Sequence, residues 1–175
     1  EFLCKVGLND RLTYDPAAGK TFLHPGRQAK ICYDGAVLGF LGEIHPIVAS
    51  NYGIKDRVYV AVIDMPQVVA NANFVKKYTG IANFPASSRD VSLVVPKDVL
   101  AGQIEDVFAK EGGEYLESYE LFDVYEGAQV LSGHKSLSYS LTFRAKDRNL
   151  SDDDVNPAMD RIIKALGELN VALRQ

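Results

Sequence analysis

The sequence predicts an α+β chain in which a βαββαβ sandwich over residues 84–175 follows a mainly antiparallel α+β segment over residues 1–75. Three observations carry this. Leu137, Tyr139, Leu141 and Phe143 alternate with Ser136, Ser138, Ser140 and Thr142, the period-2 signature of a strand with one buried face. Apolar residues recur at helical spacing before Gly112-Gly113 and again from Val155 to Leu166. Periodicity lapses between Ala70 and Arg89, where residues 76–83 read as a linker and Pro85 disfavours helix at Phe84.

Along the first segment, Ala29, Ile31 and Tyr33 alternate with polar residues as in a half-buried strand. Asp34-Gly35 is a strong hairpin signal, and a second strand follows from Val37 to Ile44. His45-Pro46 ends it. A short helix around Ile47–Asn51 stops at Gly53, a natural left-handed cap. Val58–Ile63 is a β-rich run, and Asp64 or Met65 then caps a helix with Pro66 in its first turn.

In the second segment, Val91, Leu93 and Val95 alternate on a first strand. Asp98 is the expected cap of a helix presenting Leu100, Ile104, Val107 and Phe108 on one face. A long strand runs from about Tyr115 to Tyr125, and a loop from Glu126 leads to the strand Lys135–Phe143. Ser151 and Asp154 resemble a capping box before a helix striped by Val155, Met159, Ile162, Ile163 and Leu166. Pro157 removes one backbone bond there, which predicts a kink or a late start. Val171 to Leu173 makes a short last strand. This order is the split βαβ pattern, with both helices on one sheet face and the other face open to a partner.

Composition narrows the function. No apolar run approaches the ~20 residues of a membrane span. No basic-then-apolar leader is present, and the chain begins without Met, as expected of a piece of a longer protein. Cys4 and Cys32 make no disulfide framework and read as reduced thiols, which points to the cytoplasm. His24, Cys32 and His45 lack the paired spacing of zinc ligands, so no metal is expected. Residues 1–83 carry 9 Lys+Arg against 7 Asp+Glu, whereas residues 84–175 carry 10 against 16. An acidic second half excludes indiscriminate binding to nucleic acid, which draws its affinity from phosphate neutralisation.

The open face holds the candidate site. If Phe122 and Val124 join the core, Asp123 and Tyr125 stand outward near Ser136. A Tyr ring can stack on a base, a carboxylate accepts from base N–H groups, and a Ser hydroxyl donates or accepts. Single-stranded loops present bases to such a sheet. Lys135 and Arg144, with Lys146 and Arg148, add positive charge along the strand and its exit, so Lys135 and Arg144 join the candidate RNA-binding set. On pattern alone a nucleobase site and an ordinary solvated face both stay open, since exposed serines are common on half-solvated sheets and Tyr125 could be partly core.

Phe84-Pro85, Arg89-Asp90-Val91-Ser92, Leu121-Phe122-Asp123-Val124-Tyr125-Glu126-Gly127, Gly133-His134-Lys135-Ser136-Leu137 and Asp147-Arg148-Asn149-Leu150 fall in order, with Leu173-Arg174 at the end. Together they resemble the ferredoxin-fold anticodon-binding domain that closes the β chain of bacterial phenylalanyl-tRNA synthetases. Upstream, His24-Pro25-Gly26-Arg27, Gly39-Phe40-Leu41-Gly42-Glu43-Ile44-His45-Pro46 and the Val58–Asp64 run resemble the end of the same chain's non-catalytic, class II synthetase-like core. The resemblance implies a ferredoxin-like sandwich in which Asp123, Tyr125 and Ser136 contact the anticodon of tRNA(Phe). It also implies an assembly of two α and two β chains, with ATP, magnesium and phenylalanine handled by the α chain and no cofactor here. Two positions depart from the family pattern: Asn149 replaces the usual Thr, and Ser87-Ser88 precede Arg89 where a second basic residue is common.

Two other classes compete. A small-ligand regulatory sandwich shares this topology but needs a pocket at a helix–sheet edge or dimer interface, and no Gly-rich ligand turn is evident. A bare assembly module needs no site. His24 and Arg27 beside Gly26 could hold a phosphate but more simply shape a turn or an interchain contact. Glu43 and His45 have no nucleophile at any recognisable spacing, so no catalytic residue is expected.

Overall fold

A computed structural model describes all residues except Glu1, Asn9, Asp10, Lys76, Lys77, Thr79, Ile81, Ala128, Gln129 and Gln175. Half of the expected linker 76–83, and part of the loop after Glu126, therefore lie outside the described residues. The chain divides into two compact units, Glu1–Tyr78 and Thr79–Gln175.

The first unit is a four-stranded antiparallel sheet in the order β1 (Leu12–Asp15), β2 (Leu23–Tyr33), β3 (Ala36–Ile44), β4 (Tyr59–Ile63). Its helices are α1 (Phe2–Lys5), α2 (Pro46–Asn51) and α3 (Met65–Asn71). Neither α1 nor β1 is anticipated by periodicity, because four residues complete too little of either pattern. Asp34 and Gly35 both take positive φ, 50° and 82°, as the tight β2–β3 turn requires. Asp64 caps α3, its carboxylate accepting from the Gln67 N–H at 3.3 Å. Leu3, Leu8, Ile31, Leu38 and Val68 form the buried core.

The second unit has strands β5 (Ser87–Pro96), β6 (Leu116–Tyr125), β7 (His134–Phe143) and β8 (Ala172–Leu173), and helices α4 (Ala101–Glu111) and α5 (Asp152–Glu168). The sheet order is β6-β7-β5-β8, antiparallel throughout. Ile104 and Phe108 of α4 and Val155, Ala158, Ile162 and Leu166 of α5 share one core with Leu93, Val95, Leu137, Tyr139, Leu141 and Phe143. Both helices thus cover one sheet face, as alternation on β7 implies. Burial, with Glu105 alongside, pushes the Tyr139 hydroxyl well above its usual range.

Three details differ from the expectations. Leu100, not Asp98, caps α4: the Gln103 side chain accepts from the Leu100 N–H at 2.8 Å, so this end needs no acidic cap. In α5, Ala158 takes an inward position, while Ile163 is 37% exposed at the edge of the stripe. Pro157 delays nothing, for α5 begins at Asp152.

What holds that helix start is Asp154. It accepts from the Ser151 N–H and hydroxyl, each at 2.8 Å, and from both terminal nitrogens of Arg148, at 2.7 and 2.8 Å. The Arg148 guanidinium, then the Ser151 N–H, hold its carboxyl well below the usual carboxylate range. The cap therefore rests on Ser151, and Asn149 takes no part in these bonds. A carboxylate with a depressed folded-state pKa stabilises above its unfolded value and loses that contribution as pH falls toward the folded one. Asp154→Ala is accordingly expected to lower the urea midpoint at pH 7, with the gap from the parent chain closing below about pH 4. A gap independent of pH from 7 to 2 would contradict this.

Candidate nucleic-acid interface

The face of the second sheet away from the helices is organised by cross-strand register. Residues directly opposite in an antiparallel pair point to the same side. Ala172, Val94, Ser136 and Tyr125 form one such rung across all four strands. The next contains Ser92, Ser138 and Asp123, and the one after Asp90, Ser140 and Glu120. Asp123, Tyr125 and Ser136 thus lie on one face in adjacent rungs.

The route to that arrangement is not the expected one. Leu116 lies opposite Phe143, and a first register shift falls between Leu116 and Ser118. After it Tyr119 lies opposite Leu141 and Leu121 opposite Tyr139, so the odd-numbered residues there face the core. Strict alternation would then send Asp123 and Tyr125 inward as well. Between Leu121 and Asp123 the register shifts, β6 spending one residue more than β7. Phe122 is the extra residue of this bulge and is 56% exposed. Past it the phase is reversed: Asp123 and Tyr125 face away from the helices and Val124 lies opposite Leu137. Val124 is nonetheless 54% exposed. Neither Phe122 nor Val124 joins the core, so that premise is corrected even though Asp123 and Tyr125 stand where it placed them.

Nor is the serine row an open platform. Ser136 and Ser138 are buried, and the Ser138 and Ser92 hydroxyls are 3.0 Å apart. Arg174 explains the cover. Its N–H bonds the Ser92 carbonyl at 2.8 Å, and its guanidinium lies 5.7 Å from the centre of the Tyr125 ring. With strands about 4.8 Å apart, these two long side chains meet above the small residues of β5 and β7. Arg174 is absent from the candidates chosen by periodicity, since a two-residue strand carries no periodic signal.

Lys135 and Arg144 are placed elsewhere. Lys135 shares the helix-facing side with its partner Val95, and its ammonium donates to the Val99 carbonyl at 2.8 Å. Arg144 follows the far end of β7, donating to Glu117 at 2.9 Å and to the Phe84 carbonyl at 2.8 Å. The outward face instead carries the carboxylates of Asp90, Glu120 and Asp123.

The Ferredoxin-fold anticodon binding domain matches residues 82–174. The chain belongs to this family. The Phenylalanyl tRNA synthetase beta chain CLM domain matches residues 1–65. Among similar proteins, the phenylalanine–tRNA ligase beta subunit of Clostridium acetobutylicum is 42% identical over 92% of this chain and 20% of its own length. That of Moorella thermoacetica is 41% identical over 94% and 20%, and that of Lactiplantibacillus plantarum 36% over 99% and 22%. The chain thus spans about a fifth of the length of the relatives it matches. Membership of the anticodon-binding family agrees with the α+β architecture and the β6-β7-β5-β8 order described above.

The upstream motifs have local roles. Between Leu23 and Gln28, β2 spends five steps while β3 spends two, so His24-Pro25-Gly26-Arg27 bulges out of the sheet. Arg27 reaches back from the bulge to Glu43 at 2.9 Å. Burial alone would raise the Glu43 carboxyl; Arg27, then Arg57 and Tyr59, outweigh it and hold the group below its usual range. His45 caps α2, accepting from the Ile47 N–H at 3.3 Å, and its ring stacks with His24. Among the described residues no group of three or more His, Cys, Asp or Glu is disposed to hold a metal, and no helix is long and apolar enough to cross a membrane.

Proposed function

We propose that the second unit docks the anticodon loop of tRNA(Phe) on the rungs of Asp123, Tyr125 and Ser136. In this reading the chain is part of the β subunit of a cytoplasmic phenylalanine–tRNA ligase of two α and two β chains. The α chain supplies aminoacylation with its ATP and magnesium, and this chain needs no cofactor and contributes no catalytic residue. The observation that carries the proposal is the bulge at Phe122, which gathers a stacking ring, a carboxylate and a hydroxyl on one face of a family member's sheet.

Chemistry divides the roles. The Tyr125 ring stacks on an unpaired base. Asp123 accepts from base N–H groups, and Ser136 offers a hydroxyl that donates or accepts. Three outward carboxylates repel phosphate, so the face selects base edges while the rest of the enzyme supplies attraction for the RNA backbone. Because Ser136 is 2% exposed, docking moves Tyr125 or Arg174 aside before a base reaches its hydroxyl.

In the complete two-subunit enzyme, Tyr125→Ala and Asp123→Ala are each expected to raise the KM for tRNA(Phe) about tenfold, within the ~1–3 kcal/mol of a base contact. Both variants should also discriminate less between the natural tRNA and one with a changed anticodon. Unaltered tRNA kinetics in both would refute the proposal.

A further inference from the structure

The segment Phe122-Asp123-Val124-Tyr125-Glu126-Gly127 ends in a glycine that its own backbone does not demand. Gly127 is not among the residues with positive φ, so alanine fits its conformation. The obstacle is Tyr125. A Cβ on Gly127 would lie 2.5 Å from Cζ and 3.1 Å from Cε1 of the Tyr125 ring, and closer still to its hydroxyl oxygen. Real carbon–carbon contacts stand nearer 3.5–4.0 Å. The ring therefore occupies the space that a side chain at 127 would fill.

Either the ring or the loop must give way to a side chain there. The loop is tied on both sides of the contact. Glu126 pairs with Lys97 at 3.0 Å, and the Gly127 carbonyl accepts from the Val130 N–H at 3.0 Å. The Tyr125 ring is 36% exposed and has two rotatable bonds. The ring is thus the part that moves, away from Gly127. Such a shift costs the fold little, because the ring is not part of the buried core.

We propose that Gly127 is a positioning residue for base recognition. By presenting no side chain, it lets Tyr125 lie back against the loop, and that placement sets where a base stacks relative to Asp123 and Ser136. The inference rests on the anticodon-docking reading above.

The test uses the complete two-subunit enzyme carrying Gly127→Ala, Tyr125→Ala, or both. Pyrophosphate exchange with phenylalanine and ATP, which needs no tRNA, serves as the assembly control. Gly127→Ala is expected to raise the tRNA KM about threefold, a fraction of the roughly tenfold rise expected of Tyr125→Ala, with an unchanged melting midpoint. In the Tyr125→Ala background it should add nothing, since contacting residues are non-additive and the group it displaces is gone. Tyr125→Phe, which removes the nearest atom, should recover part of the loss. An equal rise in both backgrounds, a lowered melting midpoint in both, or no effect of Gly127→Ala while Tyr125→Ala raises the KM would each overturn the inference. If Tyr125→Ala is itself silent, the docking reading fails and this inference falls with it.

Discussion

Phe108→Ala is expected to destabilise the second unit by about 4 kcal/mol, the usual cost of emptying a buried phenylalanine site. Phe108 is fully buried on α4. Its ring meets Tyr139 edge-on at 5.0 Å and Tyr119 at 5.6 Å, so one side chain joins the helix layer to β7 and β6. Leu93, Leu141 and Ile162 stand in the same core on rigid elements, which leaves little scope for collapse into the cavity. Since domains are stable by only about 5–15 kcal/mol, a loss of this size removes a large share of the total. The chain has no Trp, so urea unfolding is best followed by far-ultraviolet circular dichroism. A loss below about 2 kcal/mol would show that the core closes around the gap, contrary to expectation.

Gly39→Ala should have the next largest effect, about 3 kcal/mol on the first unit, from backbone strain and overpacking together. Gly39 lies on β3 at φ 156°, paired with Ile63 of β4. A Cβ there runs into the carbonyl oxygen of Val62 and stands 3.1 Å from the Ile63 Cα. These are backbone atoms of a paired strand, so no side chain can swing away to make room. Relief requires β4 to part from β3, the one strand it pairs with among the described residues. Faster hydrogen exchange at the Tyr59–Ile63 amides, with a lowered denaturation midpoint, would bear this out. Exchange at the parent rate would exclude it.

The contrast between Gly39 and Gly127 shows why a glycine's environment matters more than its presence. At Gly39 the obstructing atoms belong to the backbone, and the expected loss is stability. At Gly127 they belong to an exposed ring, and the expected loss is recognition.

Much of the fold is legible in the sequence because its elements are long enough to show their period. The alternation of β7 and the stripe of α5 fix which sides are buried, and Asp34-Gly35 marks its turn without ambiguity. Short elements escape this reading: α1 and β1 complete too little of a period to register. The site is legible in composition but not in phase. Asp123, Tyr125 and Ser136 can be picked out as residue types, yet simple alternation reaches their orientation through the false premise of a buried Phe122 and Val124. The clue is the adjacent pair Leu121-Phe122, where the apolar positions pass from odd to even numbers. Two neighbouring apolar residues inside an alternating strand are what a bulge looks like in one dimension. The positive charge misleads for another reason. Lys135 is next to Ser136 along the chain, but a strand turns neighbours to opposite sides; Arg144 lies past the far end of β7; and their donors are engaged with Val99, Glu117 and Phe84.

The bulge at Phe122 also separates two tasks that one strand would otherwise bind together. Just ahead of it, Tyr119 and Leu121 follow the parity of the hydrophobic core; behind it, the same parity serves the outward face. The Asp-x-Tyr pair is therefore not a portable motif. Grafted onto a regular strand that keeps Tyr119 and Leu121 inward, it would present its ring and carboxylate to the interior, and the surplus residue at Phe122 is what turns them out again.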